Sequence, residues 1–230
     1  MKYTFEFHDL GRISYEDALQ IQTNAFDKLL NEKITENQGI NKLFFCEHDP
    51  VITLGKNGLI ANLLMTESQL SEKGISLYRT NRGGDITYHG PGQITGYPVF
   101  DLEQFGIGLK QYIDLLEEIV IKFLSLYNLK GERLKGATGV WLEPETSRAR
   151  KICAIGVKSS RFVTMHGFAL NIQTDLSYFS LINPCGFIDR GVTTLTNELG
   201  RRTDFEEVKK QLYNIFVEEF SFKNTSTMNK

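Results

Sequence analysis

The order of helical and strand patterns along this chain limits the folds that are open to it. Apolar residues at helical spacing predict a first helix within residues 15–30 and a long second helix within residues 109–127. Between the predicted helices lie short apolar runs typical of strands, without regular βαβ alternation. A doubly wound parallel sheet requires that alternation. We therefore predict an α+β fold with a mixed, largely antiparallel sheet flanked by helices.

Local signals mark where several of these elements begin and end. Ser14 with Asp17 forms a capping-box pattern before the first helix, and Asp204 with Glu207 forms one before the last. The strand patterns cover Leu43–Cys46, Val51–Leu54, Ile75–Thr80, Ile86–His89, Gly139–Leu142, Ile152–Lys158 and Phe162–Ile172. The last two are predicted to form a hairpin that turns at Ser159–Ser160.

Length and charge exclude some classes of protein. The 230 residues and a hydrophobic fraction of 41% suit one large domain with a sizeable core. We predict a single domain over residues 1–223, followed by a frayed polar tail over residues 224–230. The net charge of −2 gives no global basic field, so we expect neither nucleic acid nor a membrane surface as a partner.

The cysteine pattern and the first residues of the chain indicate a cytoplasmic location. Cys46, Cys153 and Cys185 are odd in number and widely spaced, which argues against a disulfide framework and against a zinc site. Residues 1–7 show no apolar run behind a basic start, so no signal peptide is predicted. No segment reaches the roughly 20 apolar residues that a membrane span needs.

A glycine-rich run, Arg82–Gln93, is a candidate substrate-binding loop. It holds four glycines, one proline, one arginine and one histidine around a short predicted strand. Glycine lets a ligand approach the main chain, while arginine and histidine orient and titrate. The alternative is a pair of tight turns in a β-rich domain. A phosphate-binding P-loop is excluded because the Lys-Ser/Thr ending is absent.

Cys185 is a candidate nucleophile. It stands between Pro184 and Gly186, which predicts a bend whose bare backbone can present N–H groups to an oxyanion. The alternative is a small residue that fills a loop. A thiol has a free pKa of roughly 8.5, so a nucleophilic cysteine needs a nearby cation to ionise.

Four residues are candidates for the cation that would favour ionisation of the Cys185 thiol: His48, His89, Lys151 and His166. Lys151 opens an apolar strand pattern, where lysine is unusual, although a strand-end lysine that reaches water is an alternative. His89 and His166 also fit structural histidines, and His48 fits a turn. No Ser–His–Asp spacing indicates a hydrolase triad.

Three motifs that contain candidate catalytic and binding residues together resemble those of the octanoyltransferases of lipoate biosynthesis, the lipoyl(octanoyl) transferases. The first is Arg82–Leu102, and the second is Lys151–Val157. The third is His166–Asn171, followed by Ile182–Gly186 and Gly191–Leu195. Their order and spacing agree with the family, and the resemblance extends from about residue 43 to residue 199.

The resemblance implies a fold shared with lipoate–protein ligases, biotin–protein ligases and the class II tRNA synthetase core. It implies the first step of endogenous protein lipoylation, in which an octanoyl or lipoyl group passes from acyl carrier protein to a specific lysine of lipoyl domains. Cys185 would carry the acyl thioester and Lys151 would lower the pKa of that cysteine. No cofactor, ATP or metal is implied.

The resemblance also assigns substrate-binding positions and partners. The binding positions are Arg82, Gly83, Gly84, Asp85, Ile86, Thr87, Tyr88, His89, Ala154, Ile155, Gly156, Gly167, Phe168 and Ala169. The donor would be octanoyl-acyl carrier protein, and the acceptors would be lipoyl domains of 2-oxoacid dehydrogenases and the glycine cleavage H protein. Both partners are expected to be acidic. A local basic rim could attract them, or the same charges could simply be solvated: Arg148, Arg150, Lys158 and Arg161.

Some positions depart from the family pattern. Asp85 stands where glutamine is frequent, and Ile52 stands where an aromatic residue is common. Cys153 is an additional thiol two residues after Lys151, and strand alternation predicts that both side chains share one face. We expect Ile155, Phe168 and Tyr88 to line a slot for the alkyl chain.

Three rival functions stay open on the sequence alone. An ATP-dependent lipoate or octanoate–protein ligase has the same fold but needs no nucleophilic cysteine. An amidotransferase between two carrier domains also uses a cysteine, so the identity of the donor separates it from the transferase. A non-catalytic acyl- or biotin-binding module would retain its ligand without Cys185.

Overall fold

The strands form two sheets in a computed structural model that describes residues 5–37, 39–183 and 191–227, with side chains up to residue 221. In chain order they are β1 (Phe5–Ile13), β2 (Asn41–His48), β3 (Val51–Leu54), β4 (Ser76–Arg79), β5 (Ile86–His89), β6 (Gln93–Val99), β7 (Glu132–Leu134), β8 (Ala137–Leu142), β9 (Arg150–Ser160), β10 (Val163–Asn171) and β11 (Gly191–Val192). The larger sheet has the order β1-β2-β6-β10-β9-β8-β7, and β11 pairs with β9. The smaller sheet has the order β4-β3-β5.

Most strand pairs are antiparallel. In the larger sheet only β1–β2 and β11–β9 run parallel among the described pairs, and in the smaller sheet only β3–β4 does. The prediction of a mixed, largely antiparallel sheet is therefore confirmed. The predicted strands at Leu43–Cys46 and Val51–Leu54 both exist, but they belong to different sheets.

The helices cover both faces of the larger sheet. They are α1 (Tyr15–Ile34), α2 (Glu67–Glu72), α3 (Leu109–Ser125), α4 (Leu195–Leu199) and α5 (Phe205–Thr227), with three short 3-10 turns at Ile60–Asn62, Leu102–Phe105 and Leu176–Leu181. Helices α3 and α5 pack on one face and α1 packs on the other. None of the described helices is both long enough and apolar enough to cross a membrane.

The predicted helix caps are present. The Ser14 hydroxyl accepts from the Asp17 amide at 3.1 Å, and Asp204 Oδ1 accepts from the Glu207 amide at 3.2 Å. These caps satisfy N–H groups that have no partner inside the helix. The last helix continues to Thr227, beyond the predicted domain limit at residue 223, and that limit stays a prediction.

The core beneath α3 and α5 is rich in aromatic side chains. The rings of Phe100, Phe105 and Phe220 have centroids 4.9 to 5.2 Å apart, and all three are buried. Burial of one such side chain contributes about 1.5–3 kcal/mol to the free energy of unfolding. This packing holds the long strands β9 and β10, which carry much of the site.

The hairpin between β9 and β10 turns later than predicted. Ser160 pairs with Val163, so Arg161 and Phe162 form the turn instead of Ser159–Ser160. Both turn residues have positive φ, +47° and +64°. A two-residue turn of this kind matches the twist of the flanking strands, which outweighs the local cost of positive φ in residues other than glycine.

Candidate functional site

A cavity of about 520 Å³ is lined by residues of both sheets. Strand β5 of the smaller sheet borders it, together with β6, β8, β9 and β10 of the larger sheet. The predicted positions that line it are Arg82, Gly83, Gly84, Asp85, Ile86, Thr87, His89, Lys151, Ala154, Ile155, Gly156, Gly167, Phe168 and Ala169. Three motifs that are far apart in the sequence therefore meet at one cavity.

Two predicted residues stand apart from this group. Tyr88 is not among the residues that line the cavity, because its ring points into the core of the smaller sheet and stacks on Tyr178 at 4.7 Å. Thr87 and His89, on the opposite face of β5, do line the cavity. Cys185 lies outside the described residues.

The side chain of Arg82 shapes the glycine-rich loop from inside. Its Nη2 donates to the carbonyl oxygens of Thr53 and Asp85, each at 2.8 Å, and to the Thr53 hydroxyl at 2.9 Å. Its Nη1 donates to the Gly83 carbonyl at 3.1 Å. The planar fork of arginine can serve several acceptors at once. Arg82 therefore fixes the path of the loop while it also lines the cavity.

The loop rests directly on strand β9. The Gly83 amide donates to the Val157 carbonyl at 2.8 Å. A Cβ atom at Gly156 would lie 2.6 Å from the Gly83 carbonyl oxygen, closer than real Cβ atoms approach backbone. Glycine at position 156 is therefore what allows the loop to lie this close to the strand.

Asp85 connects the loop to the chain that precedes Cys185. Its Oδ2 accepts from the Asn62 side chain at 2.6 Å, and its Oδ1 accepts from the Leu59 amide at 3.3 Å. The Asn62 carbonyl in turn accepts from the Asn183 amide at 2.7 Å. Asn183 is the last described residue before the undescribed stretch 184–190.

The chain after that stretch also returns to the cavity. Gly191 and Val192 line it and pair in parallel with Arg150 and Lys151 of β9. The Thr193 amide donates to the Lys151 carbonyl at 3.0 Å. The described residues on both sides of 184–190 are thus attached beside the cavity.

Lys151 lines the cavity from β9. Its Nζ donates to the Thr138 carbonyl at 3.3 Å and lies 4.6 Å from the centroid of the Trp141 ring. An aromatic face attracts a cation at this distance. The indole N–H of Trp141 donates to the Ala137 carbonyl at 3.0 Å, which orients the ring beneath Lys151.

Cys153 does not share the face of Lys151, so that prediction is wrong. Val140 of β8 lies opposite Cys153 and Trp141 lies opposite Lys151, which leaves Ile152 as an extra residue in a β-bulge. Ile152 and Cys153 both lie in the core, whereas Lys151 lines the cavity. Burial raises the pKa of the Cys153 thiol well above its ordinary value, so this thiol stays protonated.

His89 is a buried, neutral imidazole at the cavity wall. Burial, followed by the charges of the nearby His48 and Arg82, lowers its pKa to about 3. The side-chain amide of Gln93 donates to Asn171 Oδ1 at 2.9 Å, so its oxygen faces His89 and accepts from Nδ1–H at 2.8 Å. The Nε2 atom of His89 is then the unprotonated one.

His166 and His48 are also held neutral. His166 Nε2 lies 2.9 Å from Asn81 Oδ1, and burial, with Arg82 next in size, lowers the pKa of His166 to about 3. His48 is a buried strand residue rather than the turn residue that its position suggested. It donates from Nδ1 to the Ile13 carbonyl at 3.0 Å, and burial lowers its pKa to about 4.

Part of the cavity is apolar. Ile155, Val157 and Phe168 of the larger sheet line it together with Leu109 and Ile113 from the start of α3. Such a wall suits an alkyl chain. Ile155 and Phe168 were predicted for this role, whereas the two α3 residues were assigned only to the core-facing stripe of a helix.

Several further residues that line the cavity were not singled out as binding positions, although Gln93 ends the glycine-rich run and Asn171 ends the strand part of the third motif. They are Tyr15, Gln93, Tyr97, Thr138, Trp141 and Asn171. Each fits an ordinary strand or helix pattern. A polar residue within an apolar run, as at Asn171 between Leu170 and Ile172, is the signal that could have indicated that position, which the structure buries.

The predicted basic rim is not assembled. Arg150 begins β9 and Lys158 lies near its other end, with Arg161 in the turn beyond. An extended strand rises about 3.3 Å per residue, so the Cα atoms of Arg150 and Lys158 lie roughly 25 Å apart along β9. Arg148 and Arg150 are moreover engaged with Glu143, at 2.5 and 2.8 Å.

The sequence matches one described family. The model of the lipoyl protein ligase A/B catalytic domain covers residues 15–217. An octanoyltransferase of Parabacteroides distasonis is 69% identical over 95% of this chain and 99% of its own length. An octanoyltransferase of Bacteroides fragilis is 56% identical over 89% of this chain and 92% of its own length.

Solved structures share the fold. A bi-partite lipoate protein ligase of Thermoplasma acidophilum superposes with a TM-score of 0.69 at 17% identity, over 94% of this chain and 83% of that chain. A biotin protein ligase of Aquifex aeolicus superposes with a TM-score of 0.53 at 14% identity, over 95% of this chain and 72% of that chain. The predicted likeness to the lipoate and biotin protein ligase fold is confirmed.

Proposed function

This chain belongs to the octanoyltransferases, acyltransferases within the family of the lipoyl protein ligase A/B catalytic domain, and from that membership we propose a two-step transfer through Cys185 and Lys151. The family implies an acyl donor and a lipoyl-domain acceptor. The donor in this proposal is octanoyl-acyl carrier protein. The acceptors are lipoyl domains of 2-oxoacid dehydrogenases and the glycine cleavage H protein.

The observation that carries the proposal is the attachment of the described chain before and after Cys185 to residues that border the cavity, among them Lys151. Before Cys185, the Asn183 amide donates to the Asn62 carbonyl, and the Asn62 side chain donates to Asp85 at the cavity. After Cys185, Gly191 and Val192 pair with β9 at Arg150 and Lys151. Cys185 follows Asn183 by two residues, which limits the separation of their Cα atoms to about 7 Å. In the proposal, the Cys185 thiol therefore acts at the cavity that Lys151 lines.

The first step forms an acyl thioester on the enzyme. The Cys185 thiolate, stabilised by a protonated Lys151, attacks the thioester carbonyl of the donor. The new C–S bond forms, and the bond to the carrier thiol breaks through a tetrahedral oxyanion that backbone N–H groups hold. The departing phosphopantetheine thiolate takes a proton from Lys151, which leaves the Lys151 amine neutral.

The second step forms the amide. The acceptor lysine has an unperturbed pKa of roughly 10.4, so it must lose a proton before it attacks. Neutral Lys151 takes that proton. The acceptor nitrogen then attacks the Cys185 thioester, and the C–S bond breaks as the Cys185 thiolate leaves beside the Lys151 ammonium that has just formed. The second proton of the acceptor nitrogen passes to solvent as the amide forms. A thioester is already activated toward an amine, so this route needs no ATP.

The apolar wall of the cavity would select the acyl chain. Ile155, Phe168, Leu109 and Ile113 offer hydrocarbon surface to the alkyl tail. Each buried methylene contributes about 0.8 kcal/mol to binding, which is close to a fourfold change in affinity for each methylene and about fifteenfold for each carbon pair removed or added. A preference for chain length follows from how many methylenes the wall can cover.

Intact-protein mass spectrometry tests the proposal. The enzyme is mixed with octanoyl-acyl carrier protein without ATP, and we expect a gain of one octanoyl group that neutral hydroxylamine removes. Cys185→Ala should gain none, whereas Cys46→Ala and Cys153→Ala, which remove buried thiols, should still be acylated. Acylation of a lipoyl domain only with ATP and free octanoate would contradict the proposal and favour a ligase.

A second donor identifies the transfer more closely. Octanoylated H protein replaces octanoyl-acyl carrier protein in the same assay. An amidotransferase would acylate Cys185 from the H-protein amide, whereas the proposed enzyme should load only from the carrier thioester. Loading from the amide at a comparable rate would contradict the assignment of the donor.

A further inference from the structure

One peptide group beside Lys151, Thr138–Gly139, lies outside the regular pairing of β7 with β8. Arg133 of β7 lies opposite Val140 of β8, but the next residue, Leu134, lies opposite Ala137. Thr138 and Gly139 therefore bulge out of the β7–β8 ladder. Gly139 has a φ of +124°, a conformation that favours glycine.

The two polar ends of this peptide group are bound by side chains. The carbonyl of Thr138 accepts from Lys151 Nζ at 3.3 Å. The N–H of Gly139, the other end of the same peptide bond, donates to Glu117 Oε1 at 2.9 Å. A single peptide dipole thus joins a carboxylate on α3 to the amine of Lys151.

Glu117 is an unusual residue for its place in the fold. It is 6% exposed on the core-facing side of an amphipathic helix, between Ile113 and Val120. Its Oε2 accepts from Arg133 Nε at 3.0 Å. Glutamate is rarely buried unless a specific interaction holds it there.

We infer that Glu117 is a positioning residue for Lys151, acting through the Thr138–Gly139 peptide. A carboxylate that accepts from the N–H end polarises the peptide and increases the negative charge on its carbonyl oxygen. That oxygen then holds the protonated amine of Lys151 more strongly and fixes its direction. This role builds on the proposed function, in which Lys151 both gives and takes a proton.

The expected effect is on the pH at which Lys151 loses its proton. Glu117→Gln removes the charge but keeps an oxygen for Gly139, so the protonation midpoint of Lys151 should fall by about 1 pH unit. Two other titratable groups act on this arrangement. Arg133 binds Glu117, and Cys153 has a thiol whose pKa is raised by burial and lowered by the charge of Lys151.

The measurement is competitive labelling of Lys151 with trace acetic anhydride across a pH series, read by peptide mass spectrometry. Glu118→Gln is the matched control, because Glu118 also binds Arg133, at 2.8 Å, but Gly139 bonds to Glu117. Glu118→Gln should leave the midpoint unchanged. The series is repeated with Cys185→Ala, so that a thiolate at position 185 does not determine the result.

A folded Glu117→Gln protein with the wild-type midpoint would overturn the inference, and so would an equal shift in Glu118→Gln. If Glu117→Gln fails to fold, Arg133→Gln carries the test. Arg133 is 42% exposed, and its loss leaves Glu117 unneutralised, so the Lys151 midpoint should rise. An unchanged midpoint there would also overturn the inference.

The labelling is independent of catalysis. If Cys185 forms no thioester but the Lys151 midpoint shifts, the proposed function fails and the positioning role stands. If the thioester forms normally but Glu117→Gln leaves the Lys151 midpoint unchanged, the positioning role fails and the proposed function stands.

Discussion

Asp85 accepts a hydrogen bond from the Asn62 side chain at 2.6 Å, and through Asn62 the glycine-rich loop holds Asn183. The loop is thereby joined to the chain before Cys185, and the link includes a side-chain pair, Asp85 and Asn62, whose two residues can be swapped by mutation.

Exchanging the pair tests this connection. Asn62→Asp places two carboxylates at hydrogen-bond distance, and we expect the rate of octanoyl loading to fall by about tenfold or more. The exchange variant Asn62→Asp with Asp85→Asn restores one donor and one carboxylate, and it should regain most of the rate. Loading is followed by intact mass at short times. A double variant as slow as the single one would contradict the connection.

Gly156→Ala should displace the glycine-rich loop from β9. Its Cβ would meet the Gly83 carbonyl oxygen, and relief of that overlap should cost about 1–3 kcal/mol in the free energy of unfolding. We also expect slower octanoyl loading. Thermal unfolding and loading are measured together, with Gly108→Ala as the control, because a Cβ there meets open space. Equal effects of the two substitutions would argue against the contact.

Arg82→Lys tests the loop-shaping role of the guanidinium. A lysine amine cannot serve the carbonyls of Gly83, Thr53 and Asp85 together, so buried acceptors lose their donors. We expect the free energy of unfolding to fall by about 2–4 kcal/mol, measured by urea unfolding. Arg79→Lys changes an exposed arginine and should have little effect. A stable Arg82→Lys protein that binds donor poorly would instead indicate a direct role in binding.

The buried histidines should make the protein sensitive to acid. His166 has a pKa of about 3 in the folded state against 6.5 in the unfolded state, so the unfolded chain binds more protons between these values. The contribution of each such group to the free energy of unfolding is therefore fully present above about pH 6.5. It falls as the pH decreases toward 3, by up to about 1.4 kcal/mol per pH unit for each group.

His166→Asn measures the share of one histidine. Asparagine tolerates the φ of +58° at this position and does not titrate. The urea midpoint should be lower at pH 7 because the contact with Asn81 changes, but its dependence on pH between 7 and 4.5 should be weaker than in the wild type. A variant with the wild-type slope would show that His166 does not contribute to the acid sensitivity.

Strong local signals predicted much of the fold. Ser14 caps α1 as its spacing predicted, and β5 covers Ile86–His89 as predicted. Strand β6 was not predicted because Gly96 and Pro98, which are weak strand formers, lie within it, although it runs between two other strands in the sheet. Its neighbours supply the pairing that its own residues do not indicate.

A site residue was predictable where its type is unusual for its place in the sequence. It was not predictable where strand pairing or a tertiary contact determines the direction of its side chain. Lys151 stood out as a lysine in an apolar strand. The opposite orientation of Cys153 depends on a β-bulge at Ile152, which follows from pairing with β8 rather than from the local sequence. Glu117 fits the surface chemistry of a helix, and only the contact with Gly139 reveals its place near Lys151.

The contact between Gly83 and Val157 also affects how this protein avoids self-association. Strand β8 pairs with β9 only as far as Ala154, so within the described residues no strand pairs with β9 on that side from Ile155 onward. An open sheet edge is a template for pairing between molecules. Because the glycine-rich loop covers this edge at Val157, changes that loosen the loop should promote aggregation as well as impair transfer.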